Sequence, residues 1–138
     1  MESWAFQDIA VGERRELSVP VGPEVLDAFA AATGDVNPLH MDAGFARGKG
    51  FEGRVAHGLL IASYFSTLVG TMLPGRDCLL QSVRFDFKKP VLAGETLTFS
   101  VEVVQKVDAV RALVLEARAA GCDGVVRLSG RIQVGFTA

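Results

Sequence analysis

The chain has 138 residues, of which 49% are hydrophobic and 22% charged, and its formal net charge at pH 7 is −2. This length fits one compact domain over residues 1–138, and the apolar content supplies a core and is too high for a disordered chain. The slightly acidic balance argues against a nucleic-acid-binding surface. With no apolar run near the roughly 20 residues of a membrane span and no signal peptide, we expect a soluble, cytoplasmic protein outside any membrane.

The two cysteines offer no obvious disulfide or metal chemistry. Cys78 and Cys122 are far apart in the sequence, and neither belongs to a Cys-x-x-Cys motif or lies beside a cluster of histidines. We therefore expect two reduced thiols, without a structural disulfide or a zinc site.

The first half of the chain predicts helices. An edge strand is expected around residues 15–19, and a helix from Gly22-Pro23 to a stop near Gly34, because apolar residues between them recur at helical spacing. Residues 34–51 are rich in glycine and contain Asn37-Pro38, which favours a loop or a short helical turn. Residues 57–74 predict a second helix that is apolar all round, and we expect it to be buried on every side.

The second half alternates with a period of two, which is typical of strands with one buried face. Strands are predicted at 82–87, 96–103 and 110–117, and a fourth follows a turn at 121–124. The predicted inward-facing residues are Val83, Phe85, Phe87, Leu97, Phe99, Val101, Val103, Leu128, Ile132, Val134 and Phe136. Those predicted to face outward on the last strand are Arg127, Ser129, Arg131 and Gln133.

Short connections between successive strands predict a curved antiparallel meander. A sheet that wraps around one buried helix satisfies both patterns, and this α+β arrangement is the hot-dog fold. Since such a sheet covers only part of the helix, we expect a homodimer in which the second copy covers the remainder.

A carboxylate and an imidazole lie five positions apart in the predicted loop. Asp35 and His40 flank Asn37-Pro38, and the proline fixes its own φ and restricts the residue before it. Both side chains can then converge on one point with little ordering entropy left to lose. An aspartate tuned by its surroundings and a histidine, which titrates near neutral pH, form a suitable acid/base pair. The alternative is that Asp35 and Asn37 only stabilise a turn and that His40 is an ordinary histidine.

The run Gly34-Asp35-x-Asn37-Pro38-x-His40, followed by His57-Gly58 and the helix through Ser63, resembles the MaoC-like dehydratases, and specifically the (R)-specific enoyl-CoA hydratases. The resemblance covers roughly residues 20–100, including the strand and turn at 84–94. It implies the hot-dog fold, a homodimer, and reversible hydration of a trans-2-enoyl thioester to the (R)-3-hydroxyacyl thioester. For this reaction we expect no metal or other cofactor. The pathway stays open between fatty-acid oxidation, polyester monomer supply and a biosynthetic dehydration.

The resemblance also implies roles for individual residues. Asp35 and His40 match the catalytic pair, Asn37 matches a position that holds the site together, and Gly58 matches the backbone N–H that binds the thioester carbonyl. A helix start with free N–H groups suits that last role, because negative charge develops on the carbonyl oxygen.

Further candidates surround this group. His57, Ser63 and Ser66 are expected to support the site, with His57 more suited to a structural or capping role than to catalysis. The cations that could meet the phosphates of coenzyme A or of an acyl carrier protein are Arg47, Lys49, Arg54, Lys88 and Lys89, although for each residue taken singly ordinary surface charge is the favoured interpretation.

Two other functions remain open from the sequence. A hot-dog thioesterase would hydrolyse the acyl thioester, but such enzymes commonly carry a carboxylate on or beside the central helix, and residues 59–73 contain no Asp or Glu. A non-catalytic acyl-binding domain would keep the fold without turnover. Acyl chain length, carrier and physiological direction are not predicted by the sequence.

Overall fold

The computed structural model describes residues 1–137, in which a five-stranded antiparallel sheet curves around one long helix. The elements in chain order are β1 (Arg14–Pro20), α1 (Pro23–Thr33), α2 (Pro38–Met41), α3 (Ala43–Gly48), α4 (Gly58–Thr71), β2 (Cys78–Phe87), β3 (Thr96–Val107), β4 (Ala112–Gly121) and β5 (Val126–Phe136). This is the expected hot-dog arrangement. Among the described residues, no helix is both long and apolar enough to cross a bilayer.

The central helix α4 packs against the concave face of the sheet. Its buried residues are Leu60, Ile61, Ala62, Phe65, Leu68 and Val69. The Phe65 ring contacts Phe85 of β2 and Phe99 of β3, with ring centroids 5.2 and 5.3 Å apart. Alternate residues of β3, from Leu97 to Val103, are fully buried beneath the helix, as the twofold pattern predicted. Burial of this apolar surface is the main term that holds helix and sheet together.

The strand order is β1-β3-β4-β5-β2, which corrects the predicted simple meander. Strands β3, β4 and β5 do follow one another, but β2 pairs with β5 at one edge and β1 pairs with β3 at the other. The segment between β2 and β3 therefore crosses the end of α4 instead of making a hairpin. Its turn is tied down where Ala56 N–H donates to the carbonyl of Val91 at 2.7 Å.

A single chain leaves one side of α4 open, as expected for a sheet that covers only part of the helix. Leu59 on this helix is 70% exposed, and the facing edge strand β2 exposes Val83 and Phe87, which were predicted to be buried. Phe65 of α4 packs against Phe85, whereas Val83 and Phe87 on either side of it stay exposed in the single chain. An exposed apolar edge strand beside an exposed helix face remains.

Local signals set the elements that carry the candidate residues. Pro23 occupies the first turn of α1, and Gly34 ends that helix in the left-handed conformation at φ 79°, donating its N–H to Ala30. Proline suits a first turn and glycine suits a left-handed C-cap, so both predicted ends of this helix are confirmed. The predicted loop after Gly34 contains the two short helices α2 and α3, in line with the expected helical turn.

Candidate active site

The loop after α1 is shaped by its own side chains. Asn37 caps α2 by accepting a hydrogen bond from Leu39 N–H at 3.0 Å, and Pro38 occupies the first turn. Asp35 Oδ1 in turn accepts from Asn37 N–H at 3.3 Å. These are the turn-stabilising contacts that Asx residues favour, and they fix the path from Asp35 to His40. The turn role of Asp35 and Asn37 is thus present, and it is compatible with a chemical role for the free part of the carboxylate.

The His40 ring is held by a backbone carbonyl. Its Nδ1 lies 2.7 Å from the carbonyl oxygen of Val55, and that oxygen can only accept, so Nδ1 carries the proton. Val55 N–H also donates to the carbonyl of Leu39 at 3.1 Å, so Val55 binds both the His40 ring and the backbone just before it. In the neutral ring Nε2 is therefore the nitrogen with a free lone pair, which is what a general base needs.

His57 supports the loop from the start of α4. This side chain is only 2% exposed, and its Nε2 donates to the carbonyl of Asp35 at 3.0 Å. Its ring stacks on His40 with centroids 4.0 Å apart, and Phe29 of α1 packs beside it. Its Nδ1 is buried and has no hydrogen-bond partner among residues 1–137. His57 occupies the N-cap position but makes no side-chain capping bond, and its contacts hold Asp35 and His40 in register.

The candidate acid and base come together. A carboxylate oxygen of Asp35 and one ring nitrogen from each of His40 and His57 lie within 4.8 Å of one another. Nδ1 of His40 and Nε2 of His57 are each bonded to a backbone carbonyl, which leaves one further nitrogen on each of the two stacked rings. Asp35 is exposed in the single chain, whereas His40 is half-buried.

A cleft of about 320 Å³ opens beside His40 and contains the N-terminal end of α4. Its walls are mainly apolar, and its lining residues include His40, Phe51, Gly58, Ile61, Phe87 and Leu128. The first N–H groups of α4, beginning with Gly58, have no acceptor one turn earlier within the helix and can donate to a ligand. A Cβ on Gly58 would lie 3.2 Å from Cε1 of Phe87, so a side chain there would enter the cleft. Asp35 does not line the cleft within one chain.

The two candidate serines lie on the exposed side of α4. Ser63 Oγ donates to the carbonyl of Leu60 at 2.6 Å, which is the helix bond expected for it. Both Ser63 and Ser66 line a second groove of about 230 Å³ between α4 and β2, which also contains Leu59, Leu80 and Val83. This groove is almost entirely apolar in character, apart from the two hydroxyls.

The candidate cations occupy different surroundings. Lys88 and Lys89 line the cleft and are exposed, whereas Arg47 and Lys49 lie on or just after α3, away from the cleft lining. Arg47 Nε donates to the carbonyl of Glu52 at 3.3 Å, and Lys49 Nζ lies 5.3 Å from the centre of the Phe45 ring.

Arg54 differs from the other candidate cations. Its guanidinium donates to the carbonyl of His40 and to Asp27 of α1, both at 2.6 Å. The guanidinium of Arg54 is thus bonded to other residues of the same chain. Its side chain is mostly buried and lies next to the His40 backbone.

Arg127 is a buried cation that the strand pattern placed on the outer face. It is 8% exposed, and its guanidinium pairs with Glu95 at 2.8 Å and with Asp123 at 3.2 Å. The hydrogen bonds that Arg127 donates, to Glu95 first and to Asp123 next, raise the pKa of its guanidinium. Its carbonyl accepts from the N–H groups of Lys88 and Lys89, at 2.8 and 3.2 Å, so it shapes the rim of the cleft. The alternating pattern of the strand does not predict this burial, because Glu95 lies 32 residues away in the sequence.

The two thiols are both free among the described residues. Cys78, at the start of β2, is half-buried, and burial raises the pKa of its thiol to about 11. Cys122 is exposed in the turn between β4 and β5.

Comparison with known proteins agrees with this geometry. The MaoC-like domain family matches residues 7–121. The (R)-specific enoyl-CoA hydratase of Aeromonas caviae is 42% identical over 97 residues, which are 70% of this chain and 72% of that protein. The 3-hydroxybutyryl-CoA dehydratase of Methylorubrum extorquens is 36% identical over 100 residues, covering 72% and 64%.

The fold is shared with a solved hydratase. The structure of the (R)-hydratase from A. caviae involved in PHA biosynthesis superposes with a TM-score of 0.92 and 35% identity, over 95% of this chain and 99% of that one. Both sequence relatives are named for adding or removing water, which makes them hydro-lyases. The chain belongs to the MaoC-like family, in the group of the (R)-specific enoyl-CoA hydratases.

Proposed function

We propose that this protein is a hydro-lyase that reversibly hydrates a trans-2-enoyl thioester to the (R)-3-hydroxyacyl thioester, with Asp35 and His40 as its acid/base pair. The observation that carries the proposal is the approach of the Asp35 carboxylate and the His40 ring to within 4.8 Å, beside an apolar cleft that contains a helix start. Membership in the family of the named hydratases supports the reaction type.

In hydration, a water molecule held between Asp35 and His40 attacks C3 of the enoyl group. One of its protons passes to the pair as the new C–O bond forms, and the electrons of the C2–C3 double bond move to the thioester oxygen. The pair then returns one proton to C2, so that it ends in its starting protonation state. Dehydration is the reverse. The Val55 carbonyl supports this role, because it leaves Nε2 of neutral His40 free to accept.

The enolate oxygen that forms in this step needs hydrogen-bond donors. The N–H of Gly58 is the proposed donor, at the positive end of the α4 dipole and inside the cleft that His40 lines. The absence of a side chain at Gly58 lets a thioester approach the backbone closely. The acyl carrier is coenzyme A or an acyl carrier protein, with Lys88 and Lys89, two exposed cations that line the cleft, as the candidate phosphate contacts.

The test is hydration of crotonyl-CoA, followed by loss of the ultraviolet absorption of the conjugated thioester. Asp35→Asn and His40→Ala should each lower kcat by about 10²–10⁴-fold, the range of general acid/base catalysis. Chiral analysis of the product should give the (R)-alcohol. Near-wild-type turnover by either folded variant would refute the assigned pair.

A thioesterase is the second candidate, and one assay separates the two. Hydration leaves the thioester intact, whereas hydrolysis releases a thiol that a colorimetric reagent detects. No carboxylate lies on α4, so we expect no thiol release above background. A protein that binds enoyl-CoA without either reaction would be an acyl-binding domain.

We also propose that the protein is a homodimer. The support is the apolar surface left open by one chain, which consists of Leu59 on α4 and Leu79, Leu80, Val83 and Phe87 on β2. Strand β2 is an edge strand, so its free backbone groups can pair with the same strand of a second copy around a two-fold axis. Pairing there would also cover the exposed side of α4.

Light scattering at micromolar concentration tests this assembly. Wild type should have the mass of two chains. Val83→Asp should shift the mass toward one chain, because it places an unpaired charge in the interface, while Val110→Asp, at a turn away from β2, should remain dimeric. A wild-type monomer at micromolar concentration would refute the proposal.

A further inference from the structure

The backbone of His40, the candidate base, is bonded by Arg54, a residue that does not line the cleft. Arg54 Nε donates to the backbone carbonyl of His40, and Nη2 donates to Asp27 Oδ1 on α1, both at 2.6 Å. Nη2 also lies 3.8 Å from the sulfur of Met41. The side chain of Arg54 is only 16% exposed. It therefore joins α1 to the end of α2, at the residue that carries the proposed base.

The backbone of residues 54–55 makes further hydrogen bonds to the same region. The carbonyl of Val55 accepts a hydrogen bond from His40 Nδ1–H, and the N–H of Val55 donates to the carbonyl of Leu39. The carbonyl of Arg54 accepts from Ala93 N–H at 2.9 Å. Residues 54 and 55 thus bind His40 at two points: Arg54 contacts the His40 backbone carbonyl, and Val55 contacts the His40 ring. Arg54 and Val55 are consecutive residues. A shift of the His40 carbonyl relative to Arg54 therefore also changes the distance between the His40 ring and the Val55 carbonyl.

We propose that Arg54 is a positioning residue that holds the His40 backbone so that its ring keeps the Nδ1–H tautomer and presents Nε2 to the water. This inference rests on the proposed function. Arg54 touches neither water nor substrate, and it acts through His40. A guanidinium suits this task because its planar fork directs separate N–H groups at two acceptors, whereas a lysine ammonium is a single point charge.

This role differs measurably from binding the carrier. A cation that binds substrate and transition state equally raises KM when it is removed and leaves kcat unchanged. A positioning residue lowers kcat, and a displacement of about 1 Å at a reacting group costs roughly 10²-fold in rate. For Arg54→Met we therefore expect kcat to fall by about 10–100-fold with KM within about threefold of wild type.

The second measurement does not depend on turnover. The chain has two histidines, and the structure gives them opposite tautomers, Nδ1–H for His40 and Nε2–H for His57. Long-range ¹H–¹⁵N spectra distinguish these tautomers. In Arg54→Met the His40 signals should lose the Nδ1–H pattern, while the His57 signals keep theirs and serve as the internal reference.

Two further variants complete the experiment. Arg76→Met removes an exposed arginine that lies 4.0 Å from Asp77 and should match wild type in both measurements. Arg54→Lys should recover only part of kcat, since one ammonium cannot reproduce both arms of the fork. If Arg54→Met does not fold by circular dichroism, Arg54→Lys is compared directly with wild type.

Three results would overturn the inference. They are a kcat within about twofold of wild type in the folded Arg54 variants, a rise confined to KM, and an unchanged His40 spectrum. Failure of the proposed function is recognised separately, by full turnover in His40→Ala, because the spectrum reports the Arg54–His40 contact whether or not the enzyme uses it.

Discussion

Replacing Gly58 with alanine should damage activity much more than stability. The added Cβ would lie 3.2, 3.4 and 3.5 Å from three atoms of the Phe87 ring, which is a few tenths of an ångström inside the usual carbon contact of about 3.5–4.0 Å. Phe87 is 53% exposed and can turn away at little cost. Alanine is also a better helix former than glycine by about 0.5–1 kcal/mol. The two effects oppose each other, so the free energy of unfolding should change by less than about 1 kcal/mol.

The catalytic effect has no such compensation. The methyl group projects into the cleft at the N–H that we assign to the thioester oxygen, and loss of one such donor contact costs about 10²–10³-fold in kcat. Because the N–H itself remains, we expect a fall in kcat/KM of at least about tenfold. Crotonyl-CoA hydration and urea unfolding measure the two quantities.

The matched control lies on the same helix. A Cβ on Gly70 meets no heavy atom within 4 Å, so Gly70→Ala should keep wild-type activity and gain up to about 1 kcal/mol. Wild-type kcat/KM in folded Gly58→Ala would show that the helix start does not receive the thioester.

The thiols should react unequally. With its pKa near 11, Cys78 has only about one thiolate in a thousand at pH 8, so iodoacetamide should label Cys122 alone in the folded protein and both thiols in urea. Equal labelling of the folded protein, read by mass spectrometry, would contradict the burial of Cys78. Removing Arg127 should destabilise the fold, because Glu95 would be left partly buried without its cation. Arg127→Met should lower the free energy of unfolding by about 2–4 kcal/mol in urea titrations, against less than about 0.5 kcal/mol for Arg76→Met. A loss below 1 kcal/mol would mean that the ion pair is largely solvated.

Local signals made most of the fold predictable. The ends of α1 follow from Pro23 and Gly34, the start of α4 from Gly58, and the buried face of β3 from strict alternation. Each of these depends on residues within about one turn or one strand of one another. The fold class and the family were accordingly confirmed.

The errors concern contacts between distant parts of the chain. Alternation identified the apolar face of β2 correctly, but it cannot tell whether that face meets this chain's own helix or lies open, as Val83 does. The same limitation misplaced β2 next to β3, since a short connection is usual between adjacent strands but is not required. The burial of Arg127 was not predicted, because its partner Glu95 belongs to another part of the chain.

The candidate site divides in the same way. Asp35 and His40 could be proposed from the sequence because both lie in one short segment around Pro38, where spacing and residue type are local signals. The residues that hold them were missed or given another role. The Val55 contact uses a backbone carbonyl, which any residue could supply, and Arg54 was first considered only as a surface cation. His57 was expected to be structural, and its contacts agree with that expectation.

The strand order also dictates when this protein can fold during synthesis. In the part of the chain that the structure describes, β1 pairs only with β3 and β2 only with β5, so the loop and helix that carry the proposed chemistry are synthesised before four of the five strands. The hairpins of β3, β4 and β5 are the nearest-neighbour pairings and close the shortest loops. Strand β2 therefore has no strand partner in the described chain until β5 is made, and closure of the sheet around α4 waits for that final strand.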